Sequence, residues 1–295
     1  MISTSQATSS QAVTMQLAAT AKEVSLQNGP YIAGMPQLGF TGLSENWLLK
    51  ECGHRHWQGL AQLNGQPLPE FSDENGNKSY AAFTAVRISH AKLNLIQENQ
   101  AFNISSHTSR AGLARHYSQH KIASKQLDNA QIEMLSTFVY RQQAGNNQSV
   151  TRANFASSLQ REPTIHAQSF MQDCKKIRSQ CWLAHLGITR DNAKKLNTIT
   201  FTPCPNNDFN GANFLYFANF QAFVDRAEWA WFKRLDLPQT WHRELYFYGN
   251  INVGDSLTVQ LSACIEQQNR LTHWCEIFNQ NNVKIADVFT IKVML

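Results

Sequence analysis

One carboxylate and two amides, Asp208, Asn210 and Asn213, fall within the polar turn Asp208-Phe209-Asn210-Gly211-Ala212-Asn213, which runs into a long apolar segment. A carboxylate there can act as a base or nucleophile. An amide cannot, because it has no accessible basic form near neutral pH. The histidines are spaced poorly for metal binding. His54 and His56 lie two apart on a predicted helix and point to different faces. His116 and His120 have i, i+4 spacing if helical, but their stretch, with His107 before it, reads as strand and turn and lacks a carboxylate third ligand. Cys52, Cys174, Cys181, Cys204, Cys264 and Cys275 form no CxxC pair and no zinc-finger spacing. No metal is expected.

The elements that must position these residues follow from the apolar pattern. After the turn, Phe214, Leu215, Phe217, Ala218, Ala222, Phe223 and Ala227 are too many for one stripe, so residues 213–235 read as a helix buried nearly all round. Asp225, Arg226, Glu228, Lys233 and Arg234 cluster toward its later turns, where one side reaches solvent. A strand over 243–251, a Gly-Asp turn and further alternating strands come next. The first half has the same order: a glycine-rich loop, a helix over 44–63 capped by Ser44, a loop, a strand over 79–89, then more strands. Gly53 is a blemish in that helix, tolerable where a close-packed backbone needs it. An internal duplication accounts for the repeat. The organisation is a partly disordered N-terminal segment (1–25), a first unit (26–145), a linker with an amphipathic helix (146–195) and a second unit (196–295). Each unit is α+β, a long helix wrapped by an antiparallel sheet.

Composition narrows the function classes. Of 295 residues 42% are hydrophobic and only 16% charged, as in a folded chain. The net charge of +5 comes from scattered rather than massed basic residues, which argues against nucleic acid and is compatible with an acidic partner or a coenzyme's phosphates. The opening MISTSQATSSQAV lacks a basic start and an apolar core, and no stretch is long and apolar enough for a membrane span. A reduced, cytoplasmic protein is expected.

The order of polar turn, buried helix and antiparallel strands resembles the hot-dog fold of acyl-thioester enzymes, most clearly from Asn206 to Asp255, and the repeat makes it a tandem double hot-dog. The segment from Phe214 to Glu228 looks like the helix of 4-hydroxybenzoyl-CoA-type thioesterases. Aligning on Tyr216 sets Asp208 on the first aspartate of that family's turn, Asn210 on its second, catalytic one, and Phe217 on its histidine. The resemblance therefore implies a kept scaffold and a lost thioesterase carboxylate. MPQLGFTGLSENWLLKECGHRHW, with YAAFTAVRI downstream, resembles the double hot-dog acyltransferase/decarboxylases of polyketide biosynthesis (leinamycin-pathway type). That resemblance implies a malonyl- or methylmalonyl-type acyl-CoA as substrate, an acyl carrier protein as partner, no other cofactor, and a tyrosine as acyl acceptor. Tyr80, opening the strand after the first helix, fits that role by position. Pairing of two such chains into a homodimer is compatible with it.

The chemistry sets its own demands. Decarboxylating a malonyl-type thioester needs no metal and no base, but it needs an apolar pocket and donors for the developing enolate oxygen. The amides of Gly42 and Leu43 before the first helix are candidate donors, with Ser44 and Asn46 adding side-chain groups. Asp208, Asn210 and Tyr216 are candidate substrate contacts. A phenol acting as nucleophile requires a neighbouring cation or base, for which His54, His56 and Arg87 are nearest in sequence. Two other readings keep the fold: a thioesterase or dehydratase, for which His54 with Asp208 is the nearest acid–base pairing, and a non-catalytic acyl-binding module.

Overall fold

The computed structural model describes residues 23–112, 114–125, 127–153 and 163–294. Residues 1–22 of the expected disordered segment, and the middle of the linker, lie outside them. Strand β1 (Glu23–Ile32) leads to a short hairpin, β2 (Leu38–Gly39) with β3 (Gly42–Leu43), and then to helix α1 (Glu45–Leu63). The hairpin turns at Gly42, whose φ of +134° and 2.6 Å approach of a Cβ to the Leu93 carbonyl oxygen admit only glycine. Strands β4 (Phe71–Ser72), β5 (Lys78–Ser89), β6 (Ala101–Arg110), β7 (Arg115–Ser124), β8 (Leu127–Arg141) and β9 (Val150–Arg152) complete the first half. Helix α2 (Ile165–Arg178) and the hairpin β10 (Ala184–His185) with β11 (Ile188–Thr189) connect the halves. The second half comprises β12 (Asn197–Phe201), the short helix α3 (Pro205–Asp208), helix α4 (Phe217–Phe232), β13 (Gln239–Phe247), β14 (Leu257–Gln267), β15 (Arg270–Asn279) and β16 (Lys284–Val293).

One antiparallel sheet carries both halves in the order β1-β6-β7-β8-β5-β13-β16-β15-β14-β12. Counted from the strand before each helix, each half runs first-third-fourth-fifth-second, and the two second strands, β5 and β13, pair across the middle. This is the tandem double hot-dog expected from the sequence. The inner face wraps α1 and α4, burying Leu48, Leu49, Phe220, Phe223 and Val224 completely. Each such side chain contributes about 1.5–3 kcal/mol by leaving water. The outer face is covered by α2, whose Phe170, Cys174 and Ile177 pack on Tyr117, Leu135, Tyr246 and Phe289.

An approximate two-fold relates the halves. Bulges interrupt β5 between Phe83 and Ala85 and β13 between Thr240 and His242. Two residues beyond them, Arg87 and Glu244 face each other in register, and Arg87 Nε donates to Glu244 Oε1 at 2.8 Å. Equivalent positions thus meet at the centre of the sheet with opposite charges.

Two elements depart from the sequence-based expectation. Helix α4 starts at Phe217 rather than 213, because Asn210 Oδ1 accepts from the amides of Ala212 and Phe214 and holds the preceding residues in a turn. Strand β13 starts at Gln239 and ends at Phe247, four residues earlier at each end than the alternation suggested.

Candidate active site

The two-fold creates two grooves, one at the N-terminus of each long helix, and the residues singled out from the sequence divide between them. Tyr80, Asn210 and Tyr216 line the larger groove, a cleft of about 1380 Å³. Gly42, Leu43, Ser44 and Asn46 line the smaller, of about 390 Å³. Tyr80 is therefore not brought together with the candidate donors before α1. Asp208 lines neither groove.

In the larger groove, pairing with Val139 of β8 fixes the start of β5 and half-buries Tyr80. Its ring meets Phe214 edge-on at 5.6 Å, with Lys78 Nζ at 5.7 Å and the Arg141 guanidinium at 5.6 Å from its centre. The Asp208–Asn213 turn is clamped from both halves. Arg141 donates to the Ala212 carbonyl and stacks 3.8 Å from the Phe214 ring centre. Asn147 Nδ2 donates to the carbonyls of Asn213 and Ile251 at 2.6 and 2.7 Å. Asn250 exchanges two hydrogen bonds with the Leu215 backbone. Asn210 spends its side-chain oxygen on its own turn. Asp208 is buried and structural: Oδ2 accepts from the Cys204 amide at 2.8 Å, and Oδ1 lies 3.4 Å from Asn219 Nδ2. His54, weighed as its acid–base partner, is exposed and lines the larger groove, so the two do not form a pair there.

Three features give the larger groove its chemistry. Helix α4 has no side-chain cap at Tyr216, and Tyr216, Phe217 and Phe220 of its first turn line the groove, so its positive dipole end lies at the groove. Lys78, Arg152, Arg178 and Lys284 line it with one carboxylate, Glu70. Lys284 is paired with Glu276 and Asp287 and Arg178 donates to the Phe247 carbonyl, which leaves Lys78 and Arg152 as the exposed cations not so engaged. Its inner wall is apolar, with Phe83, Phe217, Phe220 and Phe247 among the lining residues. Burial, with the nearby Glu51 carboxylate adding, raises the Tyr216 phenol above its ordinary value, so it stays protonated as a donor.

The smaller groove is built oppositely. Ser44 Oγ accepts from the Trp47 amide at 3.3 Å and caps α1. Asn46 Nδ2 donates to the Ala218 carbonyl and to Asn219 Oδ1, tying α1 to α4. Its floor is an ion-pair chain that the sequence did not announce. Arg243, fully buried, reaches Glu45 at 2.9 Å and Asp225 at 2.8 Å; Lys292 reaches Asp225 at 3.2 Å and Glu228 at 2.8 Å; His273 Nε2 lies 3.0 Å from Glu228. Glu228 thus faces inward, a correction to the solvent-facing side inferred from the clustering, while Asp225 keeps about a third of its side chain exposed. Burial works to raise Asp225, but Arg243 and Lys292 outweigh it and hold the carboxyl well below its ordinary range. Glu228 is likewise held low, by His273 and Lys292 against burial. The legible signal was the spacing of Gln221, Asp225 and Glu228, a polar stripe on an otherwise apolar helix.

The predicted histidine group is also placed. Of His107, His116 and His120, the last two are buried on strand β7 and not on a helix, with His56 of α1 buried beside them, while His107 on β6 is exposed. His56 accepts or donates to Ser118 and Ser136, both at 2.7 Å. Burial pushes His116 and His120 down to about 3, so they are neutral near pH 7. Among the described residues no group of three or more His, Cys, Asp and Glu could hold a metal ion, and no helix is long and apolar enough to cross a membrane.

No protein-family model matches the sequence, and no curated protein matches it. Solved structures do. The chain is similar to a Lactobacillus plantarum protein provisionally described as an oleoyl thioesterase (12% identity, 95% of this chain and 99% of that one, TM-score 0.64). It is similar to the 12:0-ACP thioesterase of Umbellularia californica (8%, 95% and 99%, TM-score 0.60). It is also similar to an acyl-ACP thioesterase of Bacteroides thetaiotaomicron (12%, 92% and 98%, TM-score 0.55). At these identities the likeness is one of fold, over nearly the whole length of each chain.

Proposed function

We propose that this chain is an enzyme acting on acyl thioesters, with the larger groove as its site. The observation that carries the reading is the composition of that groove. It joins an uncapped helix N-terminus, an apolar inner wall and two exposed cations, Lys78 and Arg152. The cations suit the phosphates of coenzyme A or of a carrier-bound pantetheine arm. The wall suits an acyl group, and the first amides of α4 suit a thioester oxygen that gains negative charge. The names of the similar structures, two of them acyl-ACP thioesterases, support the substrate class.

Within that class the groove favours chemistry that needs no protein carboxylate. Asn210 occupies the turn before α4, and Asp208 is turned away into hydrogen bonds with the Cys204 amide and Asn219. In the proposed reaction a malonyl- or methylmalonyl-type thioester loses its carboxylate as CO2. The electron pair left behind delocalises onto the thioester oxygen at the head of α4, and the resulting enolate is then protonated at carbon. Transfer of the acyl group to an acyl carrier protein would use Tyr80 as the intermediate acceptor. Its phenol oxygen takes the acyl group as the C–S bond breaks, and its proton leaves with coenzyme A as the free thiol. The carrier's pantetheine thiol then takes the acyl group from the tyrosyl ester, returning a proton to the phenol. Hydrolysis is the second reading, favoured by the names of the similar structures and by Glu70, the one carboxylate in the groove.

Incubation with methylmalonyl-CoA and butyryl-CoA, with and without a phosphopantetheinylated carrier protein, separates these readings by mass spectrometry of products and of the intact protein. The proposal expects propionyl-CoA from methylmalonyl-CoA, and loss of any acyl-protein adduct in Tyr80→Phe. Free acids from both substrates would favour hydrolysis. Binding without any product would leave an acyl-binding module.

A further inference from the structure

One ring in the wall of the larger groove sits at the junction of the two long helices. Phe217, the first residue of α4, lies against α1 at Gly53, where an added Cβ would sit 2.8 Å from two of its ring carbons. The ring thus occupies the space that a side chain at position 53 would take, and Gly53 puts only backbone behind it. Phe217 also packs on Phe83 at 4.3 Å between ring centres. All three residues line the groove. Behind Phe83 the surroundings turn polar. His56 is fully buried 5.0 Å from the Phe83 ring, with its two ring nitrogens bonded to Ser118 and Ser136. Ser118 continues to His120, and His120 to Ser106. An alkyl chain pushed past Phe83 would meet this packed, mutually bonded polar network, and one pushed past Phe217 would meet the close-packed core against which both rings sit.

We propose that Phe217, seated on Gly53, is the stop that sets acyl length, and that the groove takes short-chain acyl thioesters. This rests on the groove being an acyl-thioester site. An acyl chain that keeps burying methylenes gains about fourfold in affinity for each one. A chain stopped at Phe217 gains nothing further beyond it.

The test is calorimetric titration of the full chain with stable thioethers, S-ethyl-, S-butyl-, S-octyl- and S-dodecyl-CoA, so that no turnover is needed. Wild type should show affinity levelling off or falling beyond S-butyl. In Phe217→Ala the ratio of S-dodecyl to S-ethyl affinity should rise at least about tenfold, since the vacated space adjoins the groove. Phe217→Leu should move the ratio the same way by less. Phe217→Ala/Gly53→Leu, which refills the space from α1, should restore the wild-type ratio. A wild-type affinity that climbs steadily through S-dodecyl, or ratios unmoved in both single variants, would overturn the stop while leaving the thioester reading intact. Failure to bind any of the four, or coenzyme A itself, would instead remove the thioester reading and the stop with it.

Discussion

The two grooves occupy equivalent places and have been finished in opposite ways. At each, the first residue of one helix faces the ninth of the other: Phe217 faces Gly53, while Glu45 and Asp225 share Arg243. The twelfth residues differ in the same sense. His56 bonds to two serines, and Glu228 is ion-paired with Lys292 and hydrogen-bonded to His273. Helix α4 begins uncapped at an open cleft, whereas α1 begins capped by Ser44 over a floor of charges. Duplication supplies two potential sites, and it frees one to become structural. A buried ion-pair chain is a poor source of net stability but a strong constraint once formed, because no member can be removed alone.

That contrast can be broken first at Arg243. Arg243→Leu strands the largely buried Glu45, while Asp225 keeps Lys292, and should cost about 3–5 kcal/mol in chemical denaturation. A cost near zero would mean that the charges are solvated and the smaller groove is open. Acid should separate the two halves next. Folded His116 and His120 titrate near 3, below the ordinary 6.5, because burial disfavours the cation. The unfolded chain therefore binds the extra protons between those values. Their contribution is complete above about pH 6.5 and falls by about 1.4 kcal/mol per pH unit for each histidine as pH drops toward 3. Asp225 and Glu228, held low, contribute above the ordinary carboxylate range and lose that contribution only below about pH 4; Glu45, raised by burial, works the other way. Hydrogen exchange at pH 5 against pH 7.5 should show strands β6–β8 losing protection before β13–β16. Asn46→Ala removes both side-chain bonds that tie α1 to α4 and should cost about 1 kcal/mol. Arg234→Ala, at a pair with the half-exposed Glu266, should change the melting temperature least, because solvent screens an exposed ion pair.

The fold was legible because both halves repeat local signals that agree with their tertiary roles. Ser44 caps where it stands, and the strand expected over 79–89 forms as Lys78–Ser89. Gly53 has a neighbour that requires its bare backbone. The start of α4 was displaced because an Asx turn competes with the helix for the amides of Ala212 and Phe214, and apolar spacing is blind to that competition. The sites were legible only in part. Asn210, Tyr216 and Tyr80 do share a groove, since each stands at an element end that the two-fold brings together. Glu45, Asp225, Glu228, Arg243 and Lys292 were missed because charges on surface-like spacing look solvated until a partner strand is laid over them. Gly42 to Asn46 look like anion-binding chemistry in sequence, but the structure puts them at the ion-paired end.

The most direct test of the account is which groove holds the thioester. Lys78 and Arg152 are exposed cations lining the larger groove, and Arg234 is the arginine lining the smaller. Titration of S-ethyl-CoA into wild type, Lys78→Ala/Arg152→Ala and Arg234→Ala compares them directly. The account predicts that the double variant loses about tenfold or more in affinity, more steeply at low salt, while Arg234→Ala stays within about twofold. Loss of binding in Arg234→Ala with the double variant unaffected would place the thioester in the smaller groove and contradict it.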